Sequence, residues 1–581
     1  MTNRSFVFED LKEALSSQSA EILKYSIEHV SNPAWYAVQA LPYLSAIHNE
    51  GIAQLAERYF ANQVGRAIID ANPVIKRVMD EWRRNGSDRS QLLKNQDHKS
   101  ASIDETPWLR AALSETEAMQ ELSRFFDENQ LKMSLTSIGD EIIKRQNADG
   151  GFSWFPGRRS DQFMTSQVLD NIAKLEDLNI AHGLSAVKVN ALRYVDAALE
   201  DFFKQYQLKK GDKVGSAMLS TLFIRSSYAS EHPLSQAAER HINQIHEHWT
   251  ELNVSDQAML ALTLNNLSLD EKAKEIYRSL QERELTAESR GTYWKHDGSW
   301  ANRSAVDRQV LMIKTYQAMG ADQAKLDELR TWLLVNKQAN NWKSTSATTS
   351  AVYALLIDGE SHQSEWLTTS DDSKVIVGDQ QIVSDASEAG GLYFRKDFSG
   401  SEITPSLADI QIENKSDQIN WGSAYVQYME DIDKIESSAS AQLSISKEIY
   451  KEIRTDDGPH LVKLSSADQL ALGDKLVVKI ICQTDRPIEY VHVKDYRASG
   501  TEPTQTLSQY KSQDGLSYYE VTKDLSTNFF ISHMSRGTYV LEYALRVNLE
   551  GTYSSGIASI QCLYAPTLTA HSNSVNLNVG D

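Results

Sequence analysis

The chain is 581 residues long, 41% hydrophobic and 24% charged, an ordinary globular composition with room for three or four domains. Its formal net charge of −20 disfavours nucleic acid or anionic lipid as partner, because both are held through basic groups. No run of about 18 apolar residues occurs, so no membrane span is expected. The opening MTNRSFVFEDLKEAL lacks the apolar core and small-residue cleavage site of an export signal.

Residues 1–20 read as polar and weakly helical. In Leu23 to Val30, Leu23, Tyr25 and Ile27 alternate with Lys24, Ser26 and Glu28, the period of a half-buried strand. A lone strand is not stable, so its partners are expected beyond residue 370. Asn32 to Asn62 then opens a helical region, with Asn32 as cap and Pro33 in the first turn. Trp35, Val38, Leu41, Leu44 and Ile47 form one apolar helical face. His48, Asn49, Glu50 and Gly51 interrupt it, and a second helix carries Gln54, Leu55, Tyr59 and Phe60.

Helical periodicity continues to about 358. Val187, Ala191, Val195, Ala198 and Phe202 step by three and four, which predicts an amphipathic helix over 184–208. Ala258 to Leu267 and Val310 to Met319 are apolar all round, as inner helices shielded on both sides would be. A local theme repeats between helices: a Gly- or Asn-rich turn, an aromatic plug, a Ser/Thr cap, then an apolar helix. It runs from Asp149 to Phe155 with Thr165, recurs at Asp297 to Trp300, and again at Asn341-Trp342 with Thr348. Such repeats predict an α/α toroid of alternating inner and outer helices.

Beyond about 360 the pattern turns to short strands, at Lys374, Gly391, Ala408 and Ser423. A second β unit starts at about 446. In it Tyr539, Leu541, Tyr543, Leu545 and Val547 alternate with a mixed set, so one face is expected to be buried. Cys482 and Cys562 lie in strand-like stretches and are expected as buried thiols, with a disulfide as the alternative.

Several blocks resemble the bacterial α2-macroglobulin family. They are Asn32 to Leu44, Leu92 to Gln96, Glu105 to Trp108, Phe126 to Asn129, Asp149 to Gly157, Trp332 to Trp342 and Trp421 to Tyr428. Toward the C-terminus Tyr490 to Asp495, Ser526 to Phe530 and Ile560 to Pro566 are similar to its last macroglobulin domain. The resemblance implies a multidomain α plus β fold: a terpenoid-cyclase-like toroid (32–360) inserted in a CUB-like β-sandwich (1–31 and 361–445), then a macroglobulin-type antiparallel sandwich (446–581). In the family, the run matched by Asn32 to Leu44 leads into Glu-Cys-Ser-Glu-Gln, whose Cys and Gln form a buried thioester. The aligned residues are Glu50, Gly51, Ile52, Ala53 and Gln54. Gln54 remains, but Gly51 supplies no sulfur and Ala53 no carboxylate, so a degenerate site is expected.

Other chemistry is weakly signalled. Asp149 and Asp161 border the repeated turn and are the candidate acid pair of a toroid glycosidase, although Asp149 precedes Gly-Gly and Asp161 precedes a helix. His241, His246 and His248 cluster without the usual i, i+4 spacing of zinc ligands and read as a solvated helix end. No phosphate-binding glycine loop or nucleophile elbow stands out, so no enzyme, metal or cofactor is expected. The resemblance implies the C-terminal part of an endopeptidase inhibitor of the cell envelope, periplasm or extracellular space. Its expected partners are target proteases and upstream macroglobulin domains, and it would act by conformational trapping. A non-inhibitory scaffold is the alternative and a toroid hydrolase the third reading.

Overall fold

The computed structural model describes residues 2–46, 51–72, 75–77, 79–80, 120–205, 215–287, 290–295, 304–337, 342, 344–357, 373–382, 393–414, 420–431, 434–435, 437–439, 443–456, 458–513, 515–562 and 565–580. The chain divides into two units. The first comprises Met1–Val7, Ser26–Lys396 and Asp409–Ala424, and the second Phe8–Tyr25, Asp397–Ala408 and Tyr425–Asp581.

The first unit is dominated by a helical ring. Among the described residues, α2 (Ala34–Ser45), α4 (Glu128–Arg145), α6 (Ser185–Gln205), α8 (Gln236–Glu247), α10 (Asp270–Gln281) and α12 (Gln323–Val335) alternate along the chain with α3 (Ile52–Ala71), α5 (Gln162–Asp177), α7 (Ser216–Ser226), α9 (Val254–Asn266), α11 (Ala305–Ala318) and α13 (Thr345–Leu356). The second set packs in the order α3, α5, α7, α9, α11, α13, and α13 returns to α3, so the inner ring closes. This is the expected α/α toroid. A single core runs through it, from Trp35 and Phe60 to Trp342 and Leu356. In α9 every residue from Ser255 to Leu264 is buried, as its all-round apolar sequence implies. In α6 the buried stripe follows Val187, Ala191, Leu192, Val195, Leu199 and Phe203. The line read through Ala198 and Phe202 therefore slips by one residue toward the end of the helix.

The repeated turn has a specific bonding pattern. Phe152, fully buried, donates its N–H to Thr165 Oγ1 at 2.8 Å, and that hydroxyl donates to Asp161 O at 2.8 Å. Trp342, also fully buried, donates its N–H to Thr348 Oγ1 at 2.9 Å, and Thr348 donates to Ser344 O at 2.7 Å. Each plug thus satisfies its backbone donor with a hydroxyl from the first turn of the next inner helix. Gly150 completes the first turn at φ +88°, where a Cβ would also collide with the backbone of Asn190. The Asp297 to Trp300 copy, Asn341, Leu92 to Gln96 and Glu105 to Trp108 lie outside the described residues.

The N-terminal segment differs from its reading. Residues 1–20 hold strand β1 (Thr2–Val7) and helix α1 (Glu9–Ser16). From Arg4 to Val7 the strand is exposed, so its sequence carries no apolar alternation to read. β1 pairs antiparallel with β8 (Asp409–Asn414), which pairs with β5 (Ser373–Val377), and β6 (Gln380–Ile382) completes the sheet. The strand expected near 23–30 is β2 (Glu21–Val30). It lies between β7 (Tyr393–Phe398) and β9 (Trp421–Met429), both beyond residue 370 as anticipated. The strand at Lys374 therefore belongs with β1 rather than with β2. In the second unit Tyr25 is fully buried, stacks on Phe8 and Phe398, and donates to Leu407 O at 3.1 Å.

The rest of the second unit is mostly antiparallel β: beside two large sheets, a small one has β23 (Asn576–Val579) between β12 (Gln469–Leu470), which it pairs parallel, and β20 (Gly551–Ser554). One sheet has the order β11 (Gly458–Lys463), β10 (Leu443–Thr455), β13 (Lys475–Thr484), β19 (Gly537–Val547), β15 (Thr501–Pro503). The second large sheet runs β16 (Gln509–Gln513), β17 (Leu516–Thr522), β18 (Ser526–Met534), β14 (Ile488–Tyr496), β21 (Ala558–Cys562), β22 (Ala565–His571). Leu541, Tyr543, Leu545 and Val547 of β19 are buried and Tyr539 half-buried, in the alternation read from the sequence. Leu476, Val478 and Ile480 join them with Val491, Val493 and Phe529 in one core. Cys482 and Cys562 are buried thiols outside any disulfide, and burial pushes the Cys482 thiol up to about 12.

Replacing either hydroxyl of the repeated turn by an isosteric methyl strands a buried N–H. Thr165→Val and Thr348→Val are each expected to lower unfolding free energy by about 1–3 kcal/mol, read from the denaturant midpoint of the helical signal.

Candidate functional site

The first inner helix, α3, begins at Gly51, and no side chain caps it there. By contrast α5, α9, α11 and α13 start under Asp161, Asn253, Ser304 and Ser344 caps. The preceding helix α2 keeps its reading. Trp35, Val38, Leu41 and Leu44 are buried, and Asn32 Oδ1 accepts the Ala34 N–H at 2.9 Å. The junction is held from the α3 side. Arg58 Nε donates to Ser45 O at 3.2 Å, and Asn62 Nδ2 donates to Ser45 Oγ at 3.2 Å.

Within that frame the Gln54 side chain folds back over Gly51. A Cβ built on Gly51 would fall inside the contact distance of Gln54 Oε1 and 3.5 Å from its Cδ. Gly51 has φ −74° and ψ 144°, an ordinary extended conformation open to any L-residue. The glycine is therefore not demanded by backbone strain. What it provides is room, which the Gln54 carboxamide fills. Ala53 is partly buried against the toroid core. Glu50, His48 and Ile47 lie outside the described residues.

One turn beyond Gln54 stands Glu57, which the sequence reading passed over. It is 5% exposed, and its Oε2 has no hydrogen-bond partner among the described residues. Burial pushes its carboxyl up to about 7, against a Thr345 hydroxyl hydrogen bond and the nearby Lys174 ammonium, which pull it down, while Asp307 and Asp170 push it up. These neighbours come from α13, α5 and α11, so the acid faces other helices of the inner ring. A signal existed in the sequence: Glu57, Phe60, Ala61 and Val64 share the i, i+3, i+4, i+7 stripe that α3 buries, and an acid on such a stripe is costly.

The remaining candidates have structural roles. Asp149 Oδ1 accepts from Gly151 N at 3.0 Å and Ser160 Oγ at 2.7 Å. Asp161 caps α5 through Met164 N at 2.9 Å. Each carboxylate thus has one oxygen committed to local structure, Asp149 in the turn and Asp161 at the helix start. The histidines correct their reading as a solvated end. His241 is half-buried and stacks on Phe203 at 3.7 Å between ring centroids, and His246 Nε2 lies 3.3 Å from Glu275. Burial is the largest influence on His246 and lowers its pKa. Among the described residues no group of three or more His, Cys, Asp or Glu side chains is placed to hold a metal.

Glu57 makes stability depend on pH. Its folded pKa lies above the ordinary 4.5, so the folded state holds the proton more tightly. The associated stability is fully present below about pH 4.5 and lost as pH rises through about 7, a change of up to roughly 3 kcal/mol. Glu57→Gln is expected to flatten this slope between pH 5 and 8 in denaturant titrations.

Residues 443–567 match the family model described as the bacterial α2-macroglobulin MG10 domain. The match starts at the first residue of β10. Among solved structures, the chain is similar to native Escherichia coli α2-macroglobulin spanning domain MG7 to the C-terminus. The identity is 12%, with 99% of this chain and 81% of that one covered, at a TM-score of 0.39. It is also similar to E. coli α2-macroglobulin activated by porcine elastase, with 13% identity, 99% and 45% coverage and a TM-score of 0.42. Salmonella α2-macroglobulin reacted with methylamine gives 13% identity, 99% and 33% coverage and a TM-score of 0.35. The chain thus spans less than half the length of the latter two. No curated protein matches it. The likeness that the comparisons carry is therefore that of residues 443–567 to a bacterial α2-macroglobulin MG10 domain.

Proposed function

We propose that this chain is the C-terminal portion of a protease-trapping protein that works without a thioester. The observation that supports this most directly is the Gly51–Gln54 pair. The scaffold around it is retained, from the buried face of α2 to the Arg58 and Asn62 clamp, while the atom needed for a covalent bond is missing. A thioester needs a sulfur at residue 51, and the only cysteines of the chain are Cys482 and Cys562. What remains is a toroid and docking sandwiches whose contribution is conformational. They would close around an attacking protease and exclude large substrates by bulk. Glu50, Gly51, Ala53 and Gln54 are in this reading a degenerate site. Target proteases and upstream macroglobulin domains are the proposed partners, in the cell envelope or outside it. Among the described residues no helix is long and apolar enough to cross a membrane.

Methylamine separates the covalent from the non-covalent reading. Treatment of the native protein is expected to release no thiol, and a stoichiometric new thiol would overturn the claim. Gly51→Cys is expected to fold with a stability change within about 0.5 kcal/mol, since among the described residues a Cβ there meets only the movable end of Gln54. Combined with Ala53→Glu, it tests whether the pocket still supports a methylamine-sensitive bond.

Inhibition itself is tested by protease protection with the complete natural protein. The expected result is that bound protease keeps activity on small substrates but is shielded from large inhibitors. If protease stays fully open to both, the scaffold reading replaces the inhibitor reading.

A further inference from the structure

The inward series on β10 is Leu443, Ile445, Lys447, Ile449. A lysine stands where alternation calls for an apolar residue. Its side chain is 1% exposed and reaches Asp495 of β14, on the facing sheet, whose side chain is 0% exposed. The Nζ to Oδ1 distance is 2.7 Å, yet Oδ1 accepts no hydrogen bond of ordinary geometry, so the approach lies off an N–H···O line. The amine is oriented by backbone: it donates to Tyr496 O at 2.7 Å and Ser555 O at 2.8 Å, with Gly556 O farther at 3.3 Å. Two good acceptors match the two N–H bonds of a neutral amine, whose lone pair is then left for the carboxyl group. On the far side, the Tyr543 hydroxyl donates to Asp495 Oδ2 at 2.5 Å.

From this arrangement we propose that Lys447 and Asp495 form an intramolecular isopeptide bond that joins the two sheets of the MG10 sandwich. Burial drives both groups toward the neutral forms that the reaction needs, lowering the Lys447 pKa and raising that of Asp495. The Arg497 guanidinium further disfavours a charged Lys447. In the reaction, Nζ attacks Cγ and the C–N bond forms. Tyr543 stabilises the negative charge that develops on the carboxyl oxygen. The C–OH bond breaks, the departing hydroxyl takes one proton from the amine, and one water leaves. No oxidant or co-reactant is required. The product is an amide that cannot ionise, so it removes the desolvation cost of a buried ion pair and ties the first strand of the sandwich to the opposite sheet.

The test is the intact mass of the full chain, purified folded and then denatured. The expected mass is short of the sequence mass by one water. Digestion should yield one branched peptide containing Lys447 and Asp495, uncut by trypsin after Lys447. Lys447→Arg should restore the full mass. Tyr543→Phe should slow the appearance of the lighter species without changing its site. A full sequence mass after prolonged incubation of the folded protein overturns the proposal. So does a water loss that maps elsewhere, for example to succinimide at Asp149-Gly150. The wild-type measurement decides the matter even if a variant fails to fold, and it is independent of protease trapping.

Discussion

Closure of the inner helical ring is the constraint on which the first unit depends. Helices such as α9 and α11 are apolar around most of their circumference, so each must be covered by both ring neighbours and by an outer helix. A ring left open at one place would expose two such helices. Closure also buries helix starts, whose free N–H groups then need partners inside the protein. The Asp161, Asn253, Ser304 and Ser344 caps, and the Thr165 and Thr348 hydroxyls that hold the aromatic plugs, meet that requirement.

The starts of α3 and α7 depart from this scheme, with Gly51 and Gly215 in place of side-chain caps, and at α3 the proposed function builds on what fills the space. There a glutamine turns back into the space so vacated. The surrounding contacts are those of a maintained junction. Glu57 sits one turn farther along, burying an acid among groups from three other ring helices.

The second unit handles buried charge differently. Lys447, Asp495 and Tyr543 occupy inward positions on three strands of two facing sheets, and the core closes over them. A buried pair of this kind adds little stability as ions, because desolvation offsets the attraction. Its value has to lie in the geometry it fixes or the bond it forms.

Much of the fold was legible in the sequence because local periodicity reports which face of an element is buried. The paired helices, the repeated turn with its Thr, the alternation in β19 and the glycine at residue 51 are all properties of short stretches. Of the site, the identities of Gly51 and Gln54 could be read, but their packing could not. Strand β1 escaped because an exposed strand carries no apolar pattern, and its pairing with β8 spans nearly the whole first unit in sequence. Glu57 could be seen to interrupt an apolar stripe, but only ring closure brings Lys174, Asp307 and Thr345 around it. The same holds for Asp149 and Asp161, each with one carboxylate oxygen held by the turn or the helix start, and for Lys447 with Asp495, distant in sequence on facing sheets. Side-chain spacing along one element is set by backbone geometry and is present in the sequence. Which groups meet across elements is set by how the layers pack, and only the tertiary structure decides that.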